Sequence, residues 1–357
     1  MIKKLYIDGF RNYHQTEIII DQKINLFIGK NGHGKTNLLE ALFFIGMLRS
    51  FRTLQIRDLK SIGSRGFIIA AEIDRIGGWK EHLEINYIDN KRNLKIDDKS
   101  IFKSSEFIKK IKPVVFSPDD INIVNGNSMN RRRFMDFFIS LLEPNYLSAL
   151  QCYSIALKSR NIILKNQLVD VDMLKAYEVI LAEFGTIISN FRKKYSQILT
   201  DSIKKLLLNF YGSTTEFKIK YHPIAPCFDE ESFMERFQQE RERDLKRGFS
   251  SFGPQVDEFY FFLDQKMMRN FASNGQCRLI SLCLKMASVE IISQNNDKND
   301  IVVLVDDVTG DLDPVVKETF FKTIDCAGQS FFTFTEIPDE KYFDNRMVYK
   351  INDGVIS

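Results

Sequence analysis

Two textures alternate along the chain. Over the first hundred residues, short apolar runs are broken by turn residues every few positions, which predicts strands. Residues 1–8 read as a first strand. Ile18-Ile19-Ile20 and residues 24–28 flank a turn at Asp21-Gln22-Lys23, and residues 67–73 and 82–87 surround a Gly77-Gly78 turn. A strand at 94–96 follows turn residues 89–92. From about residue 119 to 248, apolar positions recur at helical spacing instead, with helices predicted over 132–142, 145–166 and 172–208. The last is the longest, with Gly185 as a candidate bend, yet it is too short to be the arm of a long coiled-coil ATPase. After Gly253-Pro254 the pattern returns to strands at 259–263 and 301–305 with a helix between, then weaker strands at 330–334 and 347–351. There is no internal repeat and no low-complexity linker. This order predicts an α/β fold with an inserted, mostly helical second lobe: residues 1–112 and 296–357 form the α/β lobe, and 113–295 the helical one.

Composition narrows the class. Apolar residues make up 44% and charged residues 27%, as in a globular protein that buries a large core. No apolar run approaches the roughly 20 residues that span a membrane, and the N-terminus turns acidic at Asp8, too soon for a signal peptide. Five cysteines without a C-x-x-C pair imply reduced thiols in a cytoplasmic protein, and four scattered histidines offer no metal centre. The net charge of +3 carries no argument for nucleic acid in bulk, so such binding has to be sought in local patches.

The chemistry starts at Gly29-Lys30-Asn31-Gly32-His33-Gly34-Lys35-Thr36, which fits the P-loop pattern G-x-x-x-x-G-K-[ST]. An apolar strand precedes it and a helix with a wide apolar face follows, so loop amides and a helix N-terminus converge where a polyphosphate binds. Lys35 is expected on the β- and γ-phosphates of ATP or GTP, and Thr36 on Mg²⁺. Residues 301–305 form a buried-type strand ending in Asp306 and Asp307, the form of a Walker B element. Asp306 is then the second Mg²⁺ residue, and Asp307 orients or deprotonates the attacking water. The whole helical block separates the two elements. Small GTPases and nucleotide kinases do not usually hold so large a body there, whereas ATP-binding-cassette and chromosome-maintenance ATPases do. Those families carry a signature motif that reads the γ-phosphate of a partner subunit's ATP. Ala272-Ser273-Asn274-Gly275-Gln276, at the start of a helix shortly before Walker B, has that form, with Ser273 and Gln276 as candidate residues for catalysis in trans. Thr309-Gly310-Asp311-Leu312-Asp313 stands where a D-loop belongs.

Together these pieces resemble the RecF family, bacterial recombination mediators of the chromosome-maintenance ATPase class, over most of the chain. Phe10-Arg11-Asn12-Tyr13 matches the family's F-R-N-Y, residues 32–41 its G-x-G-K-T-N-L-L-E-A, and Arg49-Ser50-Phe51-Arg52 its R-S-F-R. In mid-chain, Ser117-Pro118-Asp119-Asp120, the run Arg131-Arg132-Arg133-Phe134-Met135-Asp136 and Ser159-Arg160-Asn161 are similar to further family blocks. The chain departs at Gln255-Val256, where the family usually reads His-Arg, and at Ala272 and Asn274 of the signature. The resemblance implies a P-loop NTPase of ABC/SMC-head type that binds ATP and Mg²⁺, forms a homodimer on single- or double-stranded, gapped or junction DNA, and hydrolyses ATP weakly. It also implies RecR and RecO type partners, no membrane, and Arg11 and Asn12 near the nucleotide phosphates.

Two alternatives stay open on residues alone: the ATPase subunit of a membrane transporter, and a small-molecule P-loop kinase. The first normally has a switch histidine, which Thr335-Glu336 lacks; the second needs a lid and acceptor site not seen here. Two basic runs are candidates for DNA phosphate, residues 103–133 with Arg131, Arg132 and Arg133, and residues 241–247. For both, the competing reading is internal pairing with carboxylates.

Overall fold

Strand Ile24–Ile28 leads into the glycine loop from the middle of a six-stranded sheet. It pairs in parallel with Gln329–Phe334 on one side and Arg346–Asn352 on the other. Strand Ile301–Asp306 follows beyond Gln329–Phe334, with Lys112–Phe116 at that edge, both in parallel register; Val355–Ile356 closes the opposite edge antiparallel. Every residue of Ile301–Asp306 is buried, because parallel strands are covered on both faces. In this computed structural model residues 1–357 are described apart from Gln167, Val169, Ser213, Thr214, Ala225, Thr309, Asp311, Asp339 and the side chain of Glu340.

A second, antiparallel sheet runs in the order Thr16–Ile19, Ile2–Asp8, Gly66–Asp74, Lys80–Ile88, Lys91–Ile96, Lys99–Ile101. Residues 21–23 therefore do not close a hairpin; they carry the chain from this sheet into the parallel one. The helix after the glycine loop, Lys35–Met47, is apolar nearly all round, and aromatic rings join it to the antiparallel sheet. Phe67 meets Phe10 edge-on at 5.2 Å and Phe44 at 5.5 Å between centroids.

The described chain forms two compact units, Met1–Asp119 with Ser288–Ser357, and Asp120–Ala287. The second is built on helices Ser128–Leu142, Pro144–Ile163, Val171–Tyr211 and Glu230–Arg247, with a small antiparallel sheet of Phe217–His222, Glu258–Leu263 and Lys266–Met267. Val171–Tyr211 spans 41 residues, about 60 Å at 1.5 Å per residue. Gly185 does not interrupt it. A Cβ there would stand 3.0 Å from the Phe233 ring, so the glycine serves close packing of one helix on another.

The family-like blocks of mid-chain build the polar interior of this second unit. Arg160 is fully buried and donates to Asp244 (2.7 Å), Ser250 (2.7 Å) and Glu178 (2.9 Å), with its guanidinium over the Phe237 ring. Arg192 forks onto Asp136 and donates to the Pro254 carbonyl (2.6 Å). Arg131 forks onto Glu258 (2.8 and 3.0 Å), and Arg132 donates to the Asp257 carbonyl (2.7 Å). Buried charges persist only when paired in this way. Gln255, at the departure from the family pattern, accepts from Tyr153 Oη at 2.6 Å.

Candidate functional site

Strand, loop and helix place the phosphate-type site at the carboxyl end of the parallel sheet. Gly29 N–H donates to the Phe334 carbonyl (3.1 Å), tying the loop's first residue to the neighbouring strand's end. Gly32 and Gly34 adopt left-handed φ values of 85° and 107°, and a Cβ on Gly34 would lie 2.6 Å from Asn12 Nδ2. Lys30, Asn31 and Gly32 are exposed; His33 is half-buried beside Asp353, its Nδ1 3.9 Å from the carboxylate.

The helix begins without a side-chain cap. Its first intrahelical bond runs from Leu38 N–H to the Gly34 carbonyl (3.0 Å), so the N–H groups of Lys35, Thr36 and Asn37 precede any intrahelical acceptor. Lys35 is buried and donates to the Gly29 and Lys30 carbonyls. Burial lowers its pKa, and Asp307 and Asp306 partly restore it. Positive φ glycines, uncapped amides and a desolvated ammonium form a cradle that fits a polyphosphate.

The metal pair is brought together across the sheet. Thr36 Oγ1 donates to Asp306 at 2.8 and 3.0 Å to its two oxygens, although 270 residues separate them. Thr333, the register partner of Asp306 on the next strand, donates to the same carboxylate at 2.8 Å. Reading the sequence missed Thr333; only the pairing of strands reveals it. Asp307 follows the strand in the left-handed region, φ 52°, and is exposed. Among the described residues, no three His, Cys, Asp or Glu cluster as a metal cage, so a hard cation at Thr36 and Asp306 would complete its shell with water and phosphate oxygens.

Beside the loop, two separate sequence blocks converge on Glu40, which is fully buried. Arg11 forks onto it (2.8 and 2.9 Å) and also donates to the Asp58 carbonyl; Arg52 reaches it at 3.3 Å, and Ser50 Oγ donates to it. Arg11 is thus half-buried and anchored to Glu40. Asn12 supports the loop: its Nδ2 donates to the His33 carbonyl (3.3 Å), its Oδ1 accepts from Asn37 (2.8 Å), and neighbouring Tyr13 Oη donates to the Gly34 carbonyl (3.0 Å). Glu40 carries no catalytic signal in sequence beyond an acid on the buried face of a helix. Removing it strands two arginines, so Glu40→Ala is expected to destabilise the protein by about 3 kcal/mol, read from the urea midpoint.

In the second unit, Ser273 caps helix Asn274–Asn295 with Gln276. Gln276 N–H donates to Ser273 Oγ (3.2 Å) and Ser273 N–H to Gln276 Oε1 (2.9 Å), a reciprocal capping box at an exposed helix start. Of the D-loop residues, Thr309 and Asp311 lie outside those described; Asp313 is exposed ahead of helix Pro314–Ile324. Of the basic runs, Arg131 belongs to the interior, and Arg241 and Arg243 pair with Glu178 and Glu240.

Comparison with known proteins matches this geometry. The family described as RecF/RecN/SMC N terminal domain matches residues 1–351. A relative from Leptospira interrogans serogroup Icterohaemorrhagiae serovar Lai, the DNA replication and repair protein RecF, is 32% identical over 99% of this chain and 98% of its own. Among solved structures, the recombination mediator protein RecF-ATP in the RecFOR pathway superposes with a TM-score of 0.89 at 28% identity, covering 100% of this chain and 96% of that one. An Smc head domain from Pyrococcus furiosus shares the fold, with a TM-score of 0.53 at 13% identity over 100% and 95% of the two chains.

Proposed function

The chain belongs to the RecF family, within the RecF/RecN/SMC N-terminal domain group, and from that premise we propose an ATP-switched DNA-binding protein of replication and recombinational repair. The observation that carries the reading is the meeting of Thr36 and Asp306 at an uncapped helix start, in a chain that matches RecF relatives end to end. That full-length match leaves the transporter and kinase alternatives without support.

In this reading residues 29–36 hold the ATP phosphates through their amides and Lys35. Thr36 and Asp306 would hold Mg²⁺, which would supply positive charge against the phosphate oxygens. Asp307, exposed at the strand end, accepts a hydrogen bond from the attacking water. Asn12 and Tyr13 keep the loop in its binding shape. Ser273 and Gln276 present the start of their helix to the γ-phosphate held by a second copy. ATP binding then favours a homodimer on gapped or junction DNA, and weak hydrolysis dissolves it; RecO and RecR type proteins are the expected partners in loading recombinase.

Light scattering tests this directly. A monomer mass without nucleotide and a dimer mass with Mg·ATP and duplex DNA are expected. If ATP changes neither the mass nor the affinity for DNA, the switch reading fails.

A further inference from the structure

Many basic side chains of the first unit have a carboxylate beside them. Lys4 pairs with Glu17, Lys23 with Asp325, Lys80 with Glu72 and Lys95 with Glu84. One group differs. Arg49 lies just past the end of helix Lys35–Met47, Arg65 just before strand Gly66–Asp74, and Lys91 and Arg92 begin strand Lys91–Ile96. All four are exposed, and among the described residues none has a carboxylate oxygen within 4.0 Å.

The fold gathers them at one end of the antiparallel sheet. Gly66 stands opposite Ile88, and Ile88 opposite Lys91, on consecutive ladders. Asp89 N–H donates to the Arg65 carbonyl (3.4 Å), and Arg92 Nη1 to the carbonyl of Leu48, the neighbour of Arg49 (3.4 Å). Arg92, solvent-exposed in part, has its pKa lowered by desolvation first and by the charge of Arg49 second. The connecting residues 49–65 hold Arg49, Arg57, Lys60 and Arg65 besides Arg52, which pairs with Glu40, and their single acid, Asp58, lies beside Arg57. Asp89 shares the turn but its carboxylate is beyond 4.0 Å of all four; like charges held together without a paired counter-charge repel, and a row of anions relieves that repulsion.

We propose that this end of the antiparallel sheet is a contact surface for the phosphate backbone of duplex DNA, with Arg49, Arg65 and Lys91 as phosphate ligands. The inference rests on the DNA-binding reading above and adds the place where the duplex is held. Guanidinium forks and an ammonium on phosphate carry no sequence information, so binding here is independent of sequence. Arg92, bonded to the Leu48 carbonyl and to Ser104 Oγ (3.1 Å), supports the cluster from within.

The test compares two triple variants with equal change of net charge. One is Arg49→Ala with Arg65→Ala and Lys91→Ala; the other is Lys23→Ala with Lys80→Ala and Lys322→Ala, three lysines already paired. Affinity for a labelled duplex is measured with Mg·ATP across a salt series, alongside Mg·ATP affinity. The first variant is expected to lose at least about tenfold in duplex affinity and to flatten the log–log salt slope by roughly 0.7–0.9 per contact, with Mg·ATP affinity unchanged. The second is expected to stay close to the unaltered protein. Equal loss in both variants, or no loss in the first, overturns the placement while leaving DNA binding itself intact. If the unaltered protein does not bind duplex at all, the DNA-binding reading falls and the placement with it.

Discussion

Lys35→Ala should weaken Mg·ATP binding by at least about a hundredfold while the protein stays folded, because two or more charge-assisted hydrogen bonds of ~1.5–3 kcal/mol each are lost. Lys35 is buried, and burial already disfavours its charged form. Among the described residues its ammonium has the Gly29 and Lys30 carbonyls and the fields of Asp306 and Asp307 to offset that cost. Phosphate oxygens are far better partners, so the binding energy sits in this one side chain. Folding does not depend on it in the same way: alanine is the best helix former, and deleting a poorly solvated charge costs little. Thr36→Ala should behave alike, with the loss seen only when Mg²⁺ is present, since Thr36 acts through the metal pair with Asp306. Calorimetric titration of ATP with and without Mg²⁺, beside a urea melt, separates binding from stability. Undiminished affinity in Lys35→Ala would sink the assignment of the loop.

What was legible in the sequence was what is contiguous. The glycine loop announces itself because strand, loop and helix follow one another, and Ile301–Asp306 because a strand buried on both faces is written as an unbroken apolar run. Strand Lys112–Phe116 escaped because Pro113 interrupts its pattern; it is an edge strand, where a missing N–H is tolerated. Phe217–His222 escaped although Phe217 and Ile219 alternate with Lys218 and Lys220, because the segment sits inside a long helical stretch. The partners of charged residues were not legible at all. Arg131 finds Glu258 across 127 positions, and Arg11 finds Glu40 across 29, and no local pattern encodes either pair. The same blocks that carry the family likeness therefore divide by role. F-R-N-Y braces the glycine loop through Asn12 and Tyr13 and, with R-S-F-R, clasps Glu40 on the helix that follows, whereas the mid-chain arginines hold the helical unit together.

Ser273 is where capping and recognition have to be told apart. Its hydroxyl already has a structural task, accepting from Gln276 N–H in the capping box, and that alone would explain a serine at this helix start. The proposed role in trans asks more: the exposed helix start must receive the γ-phosphate bound by another copy. Ser273→Arg is expected to leave Mg·ATP binding near its original value, abolish the ATP-dependent dimer and bring hydrolysis down with it. Arginine, however, also removes the cap, at a cost of about 1 kcal/mol. Ser273→Asp resolves the ambiguity. Aspartate caps a helix as well as serine does, yet it sets a carboxylate where a phosphate must come, so a capping role predicts a normal dimer and a recognition role predicts none. Asp307→Asn supplies the opposite case, a dimer that persists because cleavage is slowed while both binding surfaces remain. Light scattering gives the mass, and hydrolysis per subunit across a protein dilution series reports whether the site is completed by a partner. An ATP-dependent dimer in Ser273→Asp would show that the helix start is only capped, and a rate independent of protein concentration would show that hydrolysis is completed within a single copy.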